Sequence, residues 1–218
     1  MSSDPSRRIA VLISGSGTNL QALIDAKIPN SEIVLVLSNR KNAYGLVRAT
    51  NASIPTAYLG LQPYLKNNPD KTRNDYDAEV AQIVLSAKPD IVVLAGWMHI
   101  LGERFLELVD GHKALKDEEK PVPIPVINLH PALPGAFDGA NAVERAYEAF
   151  QGGEIERTGV MMHRVVKDVD RGEPILVREV EIRKGEEIEQ FEARLHAVEH
   201  EIIVAATRRV LDQVKPCL

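Results

Sequence analysis

The sequence predicts an α/β fold: a single domain with a mostly parallel central sheet flanked by helices, and mixed strands in its C-terminal half. Three observations carry that expectation. Near-continuous apolar runs such as RIAVLI, EIVLVL and DIVVLA have the length and β-branched content of buried strands. Stretches whose apolar residues recur at helical spacing separate them, and such alternation implies right-handed strand–helix–strand crossovers around a parallel sheet. Finally, 218 residues with 44% hydrophobic and 26% charged side chains suit a globular chain with an ordinary core, for which one domain over 1–218 is the simplest reading.

Taken in order, Arg8–Ile13 forms the first strand and ends in Ser14-Gly15-Ser16-Gly17, after which Asn19–Ala26 has helical spacing. Glu32–Leu37, Ile54–Leu59 and Asp90–Ala95 read as further strands, with helices near Tyr44–Asn51 and Asn74–Ala87 between them. A helix around Glu103–Val109 precedes Gly111–Pro125, whose charged, proline-rich composition marks an exposed loop rather than a domain linker. Strand character resumes at Val126–Leu129. Beyond it, Asn141–Phe150 reads as helix, Gly159–Val166 and Pro174–Ile182 as strands joined by the turn-prone Asp168–Glu173, and Ile188–Val210 as one long amphipathic helix.

Composition excludes several functions. With 26 Lys+Arg against 31 Asp+Glu the formal charge is -5, which offers no electrostatic footprint for a nucleic-acid backbone. The one cysteine, Cys217, can form neither an intrachain disulfide nor a cysteine-based zinc site, which fits a reducing compartment. No signal peptide or membrane-length apolar run is expected, so the reading is a cytoplasmic protein.

Two segments have chemical character. The SGSGTNL turn closes the first strand and opens the first helix, so free backbone N–H groups and a helix dipole meet there, a combination that attracts anions. Gly15 and Gly17 allow close backbone approach, and Ser16, Thr18 and Asn19 add donors suited to a phosphate. It lacks the lysine of a P-loop, and Leu20 stands at the third glycine position of a dinucleotide fingerprint. The plain alternative is a tight turn with Thr18 or Asn19 as helix N-cap.

The second segment, Asn128-Leu129-His130-Pro131, follows an apolar strand at the edge where open α/β sheets bind ligands. An imidazole with a pKa near ~6.5 exchanges protons at neutral pH, and Asn128, two residues away on an extended chain, projects on the same side. Asp168 or Asp170, in the KDVDRGEP turn, could approach His130 and stabilise its imidazolium; both could equally be solvated turn-formers. His163, in an apolar strand, reads as a structural histidine. No spacing of His, Asp and Glu suggests a metal site.

Together SGSGTNLQALIDA, VVLAGWMHIL, INLHPALPGAFDG, the Asp170-x-Gly172 turn and Val198-Glu199-His200 resemble the phosphoribosylglycinamide formyltransferases, folate-dependent one-carbon transferases of purine synthesis. The likeness runs from about Arg8 to about Ala206. It implies a Rossmann-like formyltransferase fold and transfer of the formyl group of 10-formyltetrahydrofolate to glycinamide ribonucleotide, with no metal, no nucleic acid, no membrane, and a monomer or homodimer. By the same resemblance Gly17, Thr18 and Asn19 would hold the ribose phosphate and Glu199 would contact the glycinamide substrate. Arg73 would meet the acidic tail of the folate; Met98, His99, Ile100 and Leu101, chiefly through their backbone, would meet its pterin end, with Asn128 nearby. Asn128, His130 and Asp170 match the family's catalytic trio, which prefers Asp170 to Asp168 and leaves His163 close by. The Gly111–Pro125 loop divides the domain into an N-terminal half, 8–110, expected to bind phosphate, and a C-terminal half, 126–212, expected to be catalytic and folate-binding. His99 departs from the arginine of bacterial members, and Val143 from a histidine common in the family.

Three alternatives use parts of the same features. A tRNA formyltransferase would need a basic C-terminal extension, and a formyltetrahydrofolate hydrolase would usually carry an N-terminal regulatory domain. A non-catalytic nucleotide-binding module would use the glycine turn and leave Asn128, His130 and Asp170 without a purpose.

Overall fold

A computed structural model describes residues 6–111 and 123–214. Its centre is β1 (Arg7–Ile13), in which every residue from Ile9 to Ile13 is buried, because the strand has a partner on each edge and helices on each face. Beside it run β2 (Ser31–Ser38) and β4 (Ile91–Leu94), both parallel to it. Outward from these lie β3 (Thr56–Tyr58) and β5 (Val126–His130), also parallel. The sheet then turns antiparallel through β6 (Thr158–Arg164) and β7 (Pro174–Val180), giving the order β3-β2-β1-β4-β5-β6-β7. This is the predicted mostly parallel sheet with mixed strands in its C-terminal half.

Side chains alternate between the faces of this sheet, as the two-residue period of a strand requires. Ile9, Val11 and Ile13, with Ile91, Val93, Ile127 and Leu129, pack on one face against α1 (Thr18–Ala26), α2 (Tyr44–Asn51) and α7 (Ile188–Leu211). Ala10, Leu12, Val92, Leu94 and Val126 pack on the other against α4 (Arg73–Ser86) and α5 (Glu103–Val109). Each large side chain so buried contributes roughly 1.5–3 kcal/mol, and the doubled layer explains why these strands read as unbroken apolar runs. The remaining helix of the C-terminal half, α6 (Ala142–Gln151), lies between β5 and β6 in sequence.

Elements differ from expectation by a residue or two at their ends, with two differences that matter. A helix that the sequence reading lacked, α3, spans Leu61–Asn67. Its Pro63 argues against a helix when read along the sequence, yet in the first turn its missing N–H has no intrahelical acceptor to lose. The N-cap of α1 is Gly17, in the left-handed region at φ 72°, and neither Thr18 nor Asn19 caps it. A side chain at Gly17 would place its Cβ 2.5 Å from Gly45 Cα, so glycine is needed here for space as well as conformation. Most of the proline-rich loop, 112–122, lies outside the described residues. Among the described residues no helix is long and apolar enough to cross a membrane.

Candidate active site

Because β1, β4 and β5 are parallel neighbours, their carboxyl ends lie along one edge of the sheet. The SGSG turn leaves β1 there, the Gly96–Leu101 segment leaves β4, and β5 ends in His130 itself. The Met98 N–H donates to Ser14 Oγ at 2.8 Å, tying the first two of these exits together. A cleft of about 450 Å³ opens beside them. Met98, His99, Ile100 and Leu101 line one wall, and Asn128, His130, His163 and Asp170 line another.

Antiparallel pairing of β5 with β6 places Asn128 opposite His163, and the turn between β6 and β7 brings Asp170 back to both. Asp170 Oδ2 lies 3.5 Å from His130 Nδ1 and accepts the Gly139 N–H at 2.8 Å. Its Oδ1 accepts from Asn128 Nδ2 at 3.3 Å and lies 3.4 Å from His163 Nε2. Both imidazoles are buried, and Asp170 itself is held in the left-handed region at φ 56°. A Cβ on Gly172 would run into the Arg164 carbonyl oxygen, which is why the turn needs glycine two residues after the acid. Burial alone would raise the Asp170 carboxyl, but the hydrogen bond from His163, the Gly139 amide and the charges of the two histidines outweigh it and hold the group below its ordinary value. Asp168, by contrast, is exposed.

His163, read from the sequence as a structural histidine, touches two members of the trio. Its Nδ1 faces the Arg164 carbonyl at 2.9 Å and donates to it, so Nε2 accepts from Asn128 Nδ2, 3.1 Å away, when the ring is neutral, and donates to Asp170 Oδ1, 3.4 Å away, when the ring is protonated. With the neutral ring both Nδ2 protons of Asn128 are engaged, one by His163 and one by Asp170; with the protonated ring only Asp170 accepts from it. In the buried His130 ring, Nε2 lies 3.4 Å from the Ala136 carbonyl.

The chain is similar to known proteins over nearly its whole length. The formyl transferase family model matches residues 7–207. The phosphoribosylglycinamide formyltransferase of Schizosaccharomyces pombe is 47% identical over 213 residues, which are 95% of this chain and 98% of the relative. The chain belongs to the phosphoribosylglycinamide formyltransferase family. The Saccharomyces cerevisiae relative is 44% identical, covering 95% of this chain and 98% of its own. Among solved structures, a glycinamide ribonucleotide transformylase of Symbiobacterium toebii superposes with a TM-score of 0.80 at 30% identity, covering 100% of this chain and 96% of that one.

Within this formyltransferase the residues singled out in the sequence fall into three neighbouring groups. Asn128, His130 and Asp170 are in contact, as described. The glycine turn forms a second group: Asn19 is buried and its Nδ2 donates to Glu199 Oε2 at 3.2 Å, across 180 residues of sequence. Thr18 is half-buried at the helix start. His196, which the sequence reading did not single out, donates from Nδ1 to the same Glu199 oxygen at 2.9 Å. That hydrogen bond raises the imidazole above its ordinary value against the opposing effect of burial. Its spacing, three residues before Glu199 on one helix face, was the available signal.

The third group is the cleft wall built by Met98–Leu101. Met98 and Ile100 are exposed at 67% and 62%, the largest apolar side chains left open beside the cleft, while Leu101 is buried. His99 turns away toward the rings of Tyr76 and Trp97, and burial followed by the Arg73 charge lowers its imidazole. Arg73 does not line the cleft. Its Nε pairs with the buried Asp77 at 3.1 Å and its Nη2 donates to the Ile100 carbonyl, so it reaches the cleft wall through Ile100. Among the described residues no group of His, Cys, Asp and Glu has the arrangement of a metal site.

Proposed function

We propose that this chain transfers the formyl group of 10-formyltetrahydrofolate to the amino group of 5'-phosphoribosylglycinamide, giving N-formylglycinamide ribonucleotide and tetrahydrofolate in purine biosynthesis. The observation that carries the reading is the meeting of Asn128, His130 and Asp170 beside a cleft, on the sheet edge that also carries the SGSGTN turn. The phosphate sits against the N–H groups of Gly17, Thr18 and Asn19, and Glu199 meets the glycinamide end. The reduced folate lies along Met98–Leu101, its pterin on their backbone and apolar stems, and its acidic tail toward Arg73. The cleft draws its lining from both halves, so the folate pocket is shared between 8–110 and 126–212 rather than confined to the second, with phosphate held by the first and the reacting groups supplied by the second.

In the reaction the substrate nitrogen attacks the formyl carbon, a C–N bond forms, and negative charge develops on the formyl oxygen. Protonated His130 donates to that oxygen from Nε2, exchanging its weak contact with Ala136 for a charge-assisted one. Asn128 redirects one of its Nδ2 protons from His163 or Asp170 to the same oxygen. Donors fixed in a partly dry site contribute roughly 2.7–4 kcal/mol each. Asp170, 3.5 Å from the ring, attracts the imidazolium, and the proton lost by the attacking nitrogen passes to the departing folate nitrogen as the second C–N bond breaks.

The test is formyl transfer followed by folate absorbance, with and without the glycinamide ribonucleotide. Product formation that needs the ribonucleotide supports the reading. Release of formate at an equal rate without it would instead make the chain a hydrolase.

A further inference from the structure

Between β5 and α6 the chain adopts a conformation that few residues tolerate. Gly135, Phe137, Gly139 and Asn141, at alternate positions, have φ of 80°, 51°, 83° and 55°. Glycine adopts this region freely and asparagine at modest cost, but a bulky residue such as Phe137 stays there only where its surroundings hold it. The same segment touches both proposed reacting side chains through its main chain. The Ala136 carbonyl lies 3.4 Å from His130 Nε2, and the Gly139 N–H donates to Asp170 Oδ2 at 2.8 Å.

Arg145, on the first turn of α6, is what holds this backbone. Its Nη2 donates to the carbonyls of Phe137 at 2.7 Å and Asp138 at 2.8 Å, and its Nε to that of Asn141 at 3.3 Å. The guanidinium also lies 5.7 Å from the centre of the Phe137 ring. A cation near a helix N-terminus is opposed by the helix dipole, so the helix itself gives no reason for an arginine here. A second tether joins Asp138 to Arg171 at 2.5 Å, next in sequence to Asp170.

We propose that Arg145 is a positioning residue of the formyl transfer: by gathering three carbonyls it fixes the strained backbone that presents the Ala136 carbonyl to His130 and the Gly139 N–H to Asp170. The inference rests on the formyl-transfer reading of the site. It acts by geometry, since the groups that face Asp170 directly are His130 and Asn128 from β5, His163 from β6 and the Gly139 amide, while the neighbouring Arg171 and Asp138 neutralise one another. Release of the segment withdraws the Gly139 amide from Asp170 and lets the His130 ring turn.

Arg145→Met keeps most of the stem and removes every donor; Arg145→Lys retains an ammonium able to reach a carbonyl. Displacement of a reacting group by about 1 Å costs on the order of 10²-fold, so turnover of Arg145→Met at saturating substrates is expected to fall about 10- to 100-fold. Both Michaelis constants stay within about threefold, and Arg145→Lys recovers part of the loss. The carboxyl titration of Asp170, followed by 13C NMR in the unliganded protein, moves upward in Arg145→Met. Wild-type turnover in that variant, or a loss with the Asp170 titration unmoved, overturns the proposal. Absence of transfer by the wild-type protein would overturn the formyl-transfer reading instead, and the NMR comparison would still decide whether Arg145 sets the state of Asp170.

Discussion

Replacing Asp170 by asparagine removes one charge and almost no volume, and the structure gives the size of the effect. His130 Nδ1 stands 3.5 Å from Asp170 Oδ2, so at an effective dielectric near 20 the attraction for a protonated ring is about 5 kcal/mol. Relaxation and residual water leave roughly half of this as a working lower figure, and each 1.36 kcal/mol is tenfold in rate. The amide also cannot fit the donors around it. With its NH2 at one site it opposes the Gly139 N–H, and at the other it opposes Asn128 Nδ2. Turnover of Asp170→Asn is therefore expected to fall by about 10² to 10³, with both Michaelis constants nearly unchanged, in initial-rate measurements at saturating folate and ribonucleotide. Turnover within about threefold of the wild type would refute the charge argument.

The other predictions concern the glycine turn and its support. Gly17→Val introduces a β-branched residue at φ 72° with its Cβ 2.5 Å from Gly45 Cα, at a cost of roughly 2–5 kcal/mol. Thermal unfolding should shift downward and the Michaelis constant of the ribonucleotide should rise, and weakened folate binding alone would contradict the assignment. Glu199→Gln should raise the Michaelis constant of the ribonucleotide and leave that of the folate, because the lost carboxylate orders Asn19 and His196. Since the folded His196 is raised above its ordinary value, its stabilising contribution is complete below about pH 6.5 and disappears as the pH climbs through the folded value. The difference in melting temperature between wild type and His196→Gln should shrink over that alkaline range; a constant difference would detach the imidazole charge from Glu199. The opposite sign applies to Asp170, whose lowered carboxyl stabilises the fold above the ordinary carboxylate range and ceases to do so in strong acid.

Much of the fold was legible because its strands are buried on both faces, which leaves apolar runs with no polar interruption at β1, β2 and β4. The helix α3 was not, since a proline in a first turn looks the same on paper as a proline that breaks a helix. At the site, Asn128 and His130 share one strand, and their convergence follows from its two-residue period. That Asp170 rather than Asp168 reaches them came from family resemblance, and the physical reason, a left-handed residue backed by Gly172 against the Arg164 carbonyl, appears only in three dimensions. The part played by His163 depends on the register of β5 against β6, which pairs it with Asn128. No local pattern encodes such a register. Main-chain donors, such as the Gly139 amide, carry no residue-type signature at all.

The contact between Asn19 and Glu199 spans 180 residues, and α7 closes the face of the sheet that β1 helped to begin. A nascent chain emerging from the ribosome must therefore keep Ile9, Val11 and Ile13 without their final cover until nearly all of it has been translated. Contacts of such separation slow folding and prolong the lifetime of sticky intermediates. They also mean that a chain truncated before α7 loses the Glu199 partner of Asn19 together with the helix that covers one face of the sheet.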